Sequence, residues 1–193
     1  MGLKDKRLAF IDTETTGLDP SRHEVIDFAA VIRSADGSTE RVSFKIRPEH
    51  LERADPKALE VNGYTPEGWA GAISQEEGAR RMLDALNGCV IVGHNVGFDL
   101  DFIKATVTRH DKAGARKLPY HKVDTVTLAY VVLAPYGLDK LSLESVCNFL
   151  GVTNEGAHTA LADVERCMAV YDRLSRASWL DRLRWGWRSR KAQ

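Results

Sequence analysis

Four apolar residues, Leu8, Ala9, Phe10 and Ile11, run directly into Asp12 and Glu14. The run is too short for a helix and apolar throughout, so it reads as a buried central strand. In a strand, residues two apart point to the same side. Two carboxylates sharing one side repel each other, and each needs compensation for lost hydration. One resolution is a strand end that reaches water. The other is a cation, because hard divalent ions take oxygen ligands and magnesium is commonly held by one or two carboxylates. For this pair alone both resolutions stay open.

The surrounding pattern builds a sheet around that strand. Val25 to Ile32 is a second apolar run, closed by an Ala35-Asp36-Gly37 turn, and Val42, Phe44 and Ile46 then alternate with polar residues as a half-buried strand does. Strands one to three therefore read as an antiparallel meander. Pro48 to Ala72 is loop-rich, with three prolines and three glycines. Ser74 and Glu77 form a capping box for a helix carrying Ala79, Met82, Leu83 and Leu86. Cys89 to Val92 is a fourth buried strand, Phe98 to Arg109 a helix, and Val123 the tip of a fifth strand before Asp124. Thr125–Leu133, Ser142–Leu150 (stopped by Gly151) and Leu161–Leu174 read as helices. Strands first and strand–helix alternation afterwards predict an α/β domain with a central mixed five-stranded sheet flanked by helices.

The length of 193 residues suits one domain with an extension, placed here as 1–175 followed by a basic, Trp-containing segment, 176–193. The 27 basic side chains cancel the 27 acidic ones, so net charge neither requires nor excludes a nucleic-acid partner. Cys89, Cys147 and Cys167 are widely spaced and lie in apolar contexts, which points to buried small hydrophobes rather than disulfides or zinc ligands. No secretory leader pattern and no long apolar run is present, so a soluble, reduced, cytoplasmic protein with no membrane partner is expected. The last segment holds six basic residues against Asp181, interleaved with Trp179, Trp185 and Trp187. It reads either as a nucleic-acid-binding tail or as a short helix packing Trp179, Leu180 and Leu183 on the core before a solvated end.

Two further groups carry acids at element ends. His94-Asn95-Val96-Gly97-Phe98-Asp99 follows the fourth strand and puts Asp99 in the first turn of a helix, where the dipole alone would favour it. His158 precedes the last strong helix and Asp163 lies inside it; they read as a surface pair or as a general base beside a metal ligand. Asp12, Glu14, Asp99 and Asp163 thus come from a strand end and two helices that an α/β sheet can bring to one edge. Four acids would cluster there only around cations.

Taken together, three segments resemble the motifs of the DEDD exonucleases of the histidine subtype, the group that includes the proofreading subunits and domains of replicative DNA polymerases. They are Phe10-Ile11-Asp12-Thr13-Glu14-Thr15-Thr16-Gly17-Leu18, Gly93-His94-Asn95-Val96-Gly97-Phe98-Asp99-Leu100-Asp101-Phe102, and Ala157-His158-Thr159-Ala160-Leu161-Ala162-Asp163. The resemblance runs from Arg7 to Leu174. It implies a ribonuclease-H-like fold and hydrolysis from a nucleic-acid 3′ end to nucleoside 5′-monophosphates with two divalent cations, Mg2+ or Mn2+. Residue by residue, it implies metal-binding roles for Asp12, which would bridge, for Glu14 and Asp163 on the nucleophile side, and for Asp99 on the leaving-group side. It implies a general base at His158. Substrate contacts are expected at Thr13, Thr15, Thr16, Val61, Tyr64, Asn95 and Phe98, with the backbone amides near Thr15 and Thr16 on the terminal nucleotide. The chain has Asn62 where many members carry His, and Tyr64 where they carry Ile; Tyr64 either stacks on a base or packs into its loop. Asp124-Thr125 resembles a recurrent family feature and is left outside the metal ligands. Single-stranded DNA with a free 3′-OH is the favoured substrate, RNA the alternative, and a non-catalytic nucleic-acid- or polymerase-binding module the third reading. A DNA polymerase is a possible partner.

Overall fold

The computed structural model describes residue 2, residues 5–153 and residues 159–191. Its sheet is built from β1 (Leu8–Thr15), β2 (Val25–Arg33), β3 (Thr39–Lys45), β4 (Val90–Gly93) and β5 (Lys122–Asp124) in the order β3-β2-β1-β4-β5. β1, β2 and β3 pair antiparallel, as the meander predicts, while β4 and β5 join β1 in parallel. The helices are α1 (Pro56–Val61), α2 (Gln75–Leu86), α3 (Val96–His110), α4 (Thr125–Leu133), α5 (Leu143–Leu150), α6 (Ala160–Ser175) and α7 (Trp179–Lys191).

The two-residue period of β1 sorts the core into two layers. Ala9 and Ile11 face α2 and α3, packing with Met82, Leu86, Phe102, Ile103 and Val107. Phe10 faces the other way, toward Ala160 and Val164 of α6, together with Ala29, Val31 and Val92. The same alternation continues into the acidic end of the strand. Asp12 and Glu14 belong to the α6 side, and Thr13 belongs to the α3 side. α6 is clamped to the sheet by Arg33 on β2, whose guanidinium makes a two-pronged contact with Asp172 at 2.7 and 2.8 Å. Such a fork fixes direction as well as distance. A third apolar cluster joins α4, α5 and the far half of α6 through Leu133, Val146, Leu150, Val170 and Leu174.

Four boundaries depart from the sequence reading. β1 runs through the acids to Thr15 rather than ending at Ile11, because Asp12, Thr13 and Glu14 still pair with Ala29, Phe28 and Asp27 of β2. α3 begins at Val96, two residues early. The loop-rich stretch contains α1, whose start combines an Asp55 cap accepting from the Lys57 N–H with Pro56 at the first helical position. In the tail, Trp179–Lys191 forms α7; of the residues expected to anchor it, the side chain of Trp179 lies outside the described residues. Leu180 and Leu183 are 50% and 61% exposed, while Trp185 is buried against Tyr136 and the third cluster. All three cysteines are buried and free. No helix among the described residues is long and apolar enough to cross a membrane.

The anchoring of α7 gives a direct expectation. Trp185→Ala should cost about 3 kcal/mol in urea unfolding, the usual loss for a buried aromatic, whereas Leu183→Ala should change stability by less than about 0.5 kcal/mol. Equal losses would show that the helix packs through the other face.

Candidate active site

The end of β1 delivers Asp12 and Glu14 onto the side where α6 begins, and Asp163 lies in the first turn of α6. Carboxylate oxygens of Asp12, Glu14 and Asp163 all fall within 4.8 Å of one another. The fourth acid arrives from the opposite layer. Asp99, in the first turn of α3, is 3% exposed, and its Oδ1 accepts from the Thr13 backbone N–H at 2.9 Å and from Thr13 Oγ1 at 2.8 Å. Its position is therefore set by β1 and not by the helix dipole alone.

The turn before α3 is held equally firmly. Asn95 sits in the left-handed region at φ 66°, the one non-glycine residue to do so among the described residues. Its N–H donates to Asp124 Oδ1 at 3.1 Å, and the same oxygen accepts from the Val126 N–H to cap α4. Asp124, left without a role by the sequence, thus braces the β4–α3 turn against β5 and α4. His94 joins Thr125 Oγ1 at 2.9 Å and the Leu141 carbonyl at 2.7 Å, and burial lowers its pKa. A neutral ring with both nitrogens engaged is a strut. Gly93 is required by close approach, since a Cβ there would come within 2.9 Å of the Val96 side chain.

Crowding acids into this edge disfavours their ionised forms. Burial, and then the charges of Asp99, Asp163 and Glu14, push Asp12 well above the ordinary carboxylate range. Burial first, then Asp163, Asp27 and Asp99, raise Glu14 to about 7. Burial raises Asp99 to about 7 even though the two Thr13 hydrogen bonds pull it down. An all-oxygen donor set whose members repel one another suits a hard divalent cation, and Asp12, Glu14 and Asp163 could hold one between them.

A cleft of 330 Å³ opens beside the acids. Thr13, Thr15, Val61 and Phe98, four of the expected substrate contacts, line it. Leu18, Lys57 and Asn62 line it as well and were not singled out as contacts; Leu18, 77% exposed in the turn after the acids, is the kind of apolar residue a sequence reading can flag. Three expected contacts lie elsewhere. Tyr64 packs its ring on Trp69 at 5.0 Å in a cluster with Ile26 and Ala72, so it is engaged within its own loop. The Thr16 N–H donates to the Glu24 carbonyl at 2.9 Å and Thr16 Oγ1 accepts from the Glu24 N–H, which removes that amide from the proposed nucleotide contact. Asn95 serves the turn described above. Asn62 donates to the Thr15 carbonyl at 3.0 Å and so ties α1 to the end of β1. His158 lies outside the described residues.

One acid was hidden inside an apparently uniform apolar run. Asp27 of β2 stands directly opposite Glu14, on the same side of the sheet, and burial raises it to about 6. Its only warning in the sequence is a lone charge between Ile26 and Phe28.

A family model described as an exonuclease, that of ribonuclease T, matches residues 9–171. The chain belongs to this exonuclease family, and its activity is that of a 3′–5′ exonuclease. Ribonuclease T of Shewanella sp. (strain W3-18-1) is 28% identical over 178 residues, spanning 83% of this chain and 78% of that protein. The PolC-type DNA polymerase III of Mycoplasma genitalium is 28% identical over 173 residues, 88% of this chain but 11% of the polymerase. Among solved structures, the zinc-bound Escherichia coli exonuclease I–single-stranded DNA complex superposes with a TM-score of 0.76 at 23% identity, covering 92% of this chain and 42% of that one. That likeness establishes the shared ribonuclease-H-like fold. Members of the family need divalent metals, and the acid cluster fits that need.

The raised carboxylates make stability depend on pH when no divalent ion is present. Glu14 moves from an ordinary 4.5 to about 7, and Asp99 from 3.8 to about 7. The folded chain therefore keeps protons that the unfolded chain has released, and this contribution is lost as pH rises through 7. Chelator-treated protein should melt at a higher temperature at pH 5 than at pH 8, and adding Mg2+ at pH 8 should recover the difference. A flat profile would show that the acids do not burden one another.

Proposed function

We propose that this chain removes nucleotides from the 3′ end of single-stranded nucleic acid, with DNA as the primary substrate. It would use two divalent cations, Mg2+ or Mn2+, and release nucleoside 5′-monophosphates. The observation that carries the reading is the convergence of Asp12, Glu14, Asp99 and Asp163 beside a cleft with the apolar side chains of Leu18, Val61 and Phe98 in its wall. Apolar and aromatic faces accept any base, as a sequence-tolerant exonuclease requires.

Bound divalent cations would supply charge neutralisation at phosphorus and activation of the attacking water. The chain's own residues do the rest. Asp12 would reach both ions, Glu14 and Asp163 would hold the nucleophile side, and Asp99, fixed by Thr13, would orient the leaving-group side. His158 would accept the proton of the attacking water, a task suited to an imidazole near neutral pH. In the cleft wall the Thr15 hydroxyl donates to the Gly17 carbonyl and the Asn62 amide to the Thr15 carbonyl. Both groups are engaged within the chain, and the DNA reading is favoured by the likeness to the PolC-type DNA polymerase III, which spans 88% of this chain. The competing RNA reading is favoured by the extent of likeness to ribonuclease T, which spans most of both chains.

Matched 5′-labelled DNA and RNA strands, incubated with Mg2+, Mn2+ or chelator, should give a metal-dependent ladder shortening from the 3′ end, faster on DNA. A faster RNA ladder reverses the substrate assignment. Asp12→Ala should abolish the ladder and weaken cation binding. His158→Ala should keep cation binding and lose roughly 10²-fold or more in rate, as removal of a general base does; an unchanged rate would assign the base elsewhere.

A further inference from the structure

Arg166 stands one helical turn beyond Asp163 on α6, and its Nη2 forms an ion pair with Asp163 Oδ1. The two side chains are only 8% and 17% exposed. On an exposed helix face such an i,i+3 pair contributes little. Enclosed, it is a different object: a guanidinium removed from water stays in place only if carboxylates replace its hydration. Arg166 also acts beyond Asp163. It offsets the repulsion that Asp99, Asp163 and Glu14 exert on Asp12, and its field reaches His94 at the end of β4.

The same Asp163 carboxylate belongs to the three-acid group whose oxygens lie within 4.8 Å of one another. Two cations therefore have a claim on one carboxylate. One is tethered, planar and permanently charged. The other is mobile and doubly charged. We propose that Arg166 is the built-in counter-ion of the acid cluster: it holds Asp163 in position while no divalent ion is bound, and it competes for that carboxylate when one arrives. The inference rests on the reading of the acids as a cation site. It makes Arg166 a positioning residue, acting through Asp163 and not on the reacting atoms. It also explains how a fold can carry Asp12, Glu14, Asp99 and Asp163 at one edge before any metal is loaded.

The test needs no nucleic acid. Mn2+ or Mg2+ binding is titrated calorimetrically into the metal-free full chain, and thermal unfolding is followed in chelator and at saturating cation. Arg166→Gln removes the charge while keeping hydrogen-bonding capacity. It should tighten cation binding about tenfold, lower the melting temperature in chelator, and lose much less at saturating cation. Arg166→Lys retains a charge without the fork; it should lie between wild type and Arg166→Gln on both readouts, and it carries the test if the glutamine variant does not fold. Unchanged or weaker cation affinity in the variants, with wild type binding normally, overturns the inference. So does a melting-temperature loss that is equal with and without cation, because that is the signature of packing alone. If wild type itself binds no divalent ion, the cation-site reading falls first and this inference falls with it.

Discussion

Mutual repulsion among enclosed carboxylates is the constraint around which the acidic edge of the sheet is arranged. Asp12 and Glu14 leave a buried strand on one side, Asp163 meets them from α6, and Asp99 reaches the same edge from α3. Each added acid raises the cost of ionising the others. An edge of this kind persists only if the surrounding structure fixes the carboxylates mechanically and if positive charge is available. Both conditions are met by identifiable contacts.

The mechanical part is a set of short polar struts between elements that the hydrophobic layers have already brought together. Thr13 ties α3 to β1 through Asp99. Asp124 and His94 tie the β4–α3 turn to α4 and to the Leu141 carbonyl. The Arg33–Asp172 fork ties α6 to β2 and thereby fixes where Asp163 stands. None of these contacts is large, but each satisfies buried or half-buried polar groups that would otherwise cost more than a net hydrogen bond returns. The fold supplies proximity through apolar packing, and the struts turn proximity into defined side-chain positions. A charged site requires that order of construction, since apolar packing has no directionality of its own.

The cleft beside the acids obeys the same division of labour. Its apolar residues come from three separated segments, the turn holding Leu18, helix α1 and the start of α3. Asn62 holds α1 to β1 through a backbone carbonyl. Tyr64, which sequence alone left between stacking on a base and packing in its loop, rests on Trp69, because the loop after α1 needs its own small core. In the tail, Trp185 is buried against the third apolar cluster, while Leu180 and Leu183 stay exposed.

The sequence by itself determined the parts of this protein that depend on local pattern. Alternation and short apolar runs specified the meander and the mixed sheet, helical spacing specified α2, α3 and α6, and three motifs specified Asp12, Glu14, Asp99 and Asp163 as a set. It did not reveal Asp27, Arg166, the role of Asp124, or which of Thr16, Tyr64 and Asn95 face the cleft. Those depend on which strand lies opposite which residue, and on whether a hydrogen-bonding group has already been claimed by a neighbour distant in sequence. Glu14 meets Asp27 only because β1 and β2 pair in one register, and the Thr16 amide is engaged only because Glu24 folds back onto it. Pairing and saturation are properties of three-dimensional contact, so tertiary structure alone could decide them.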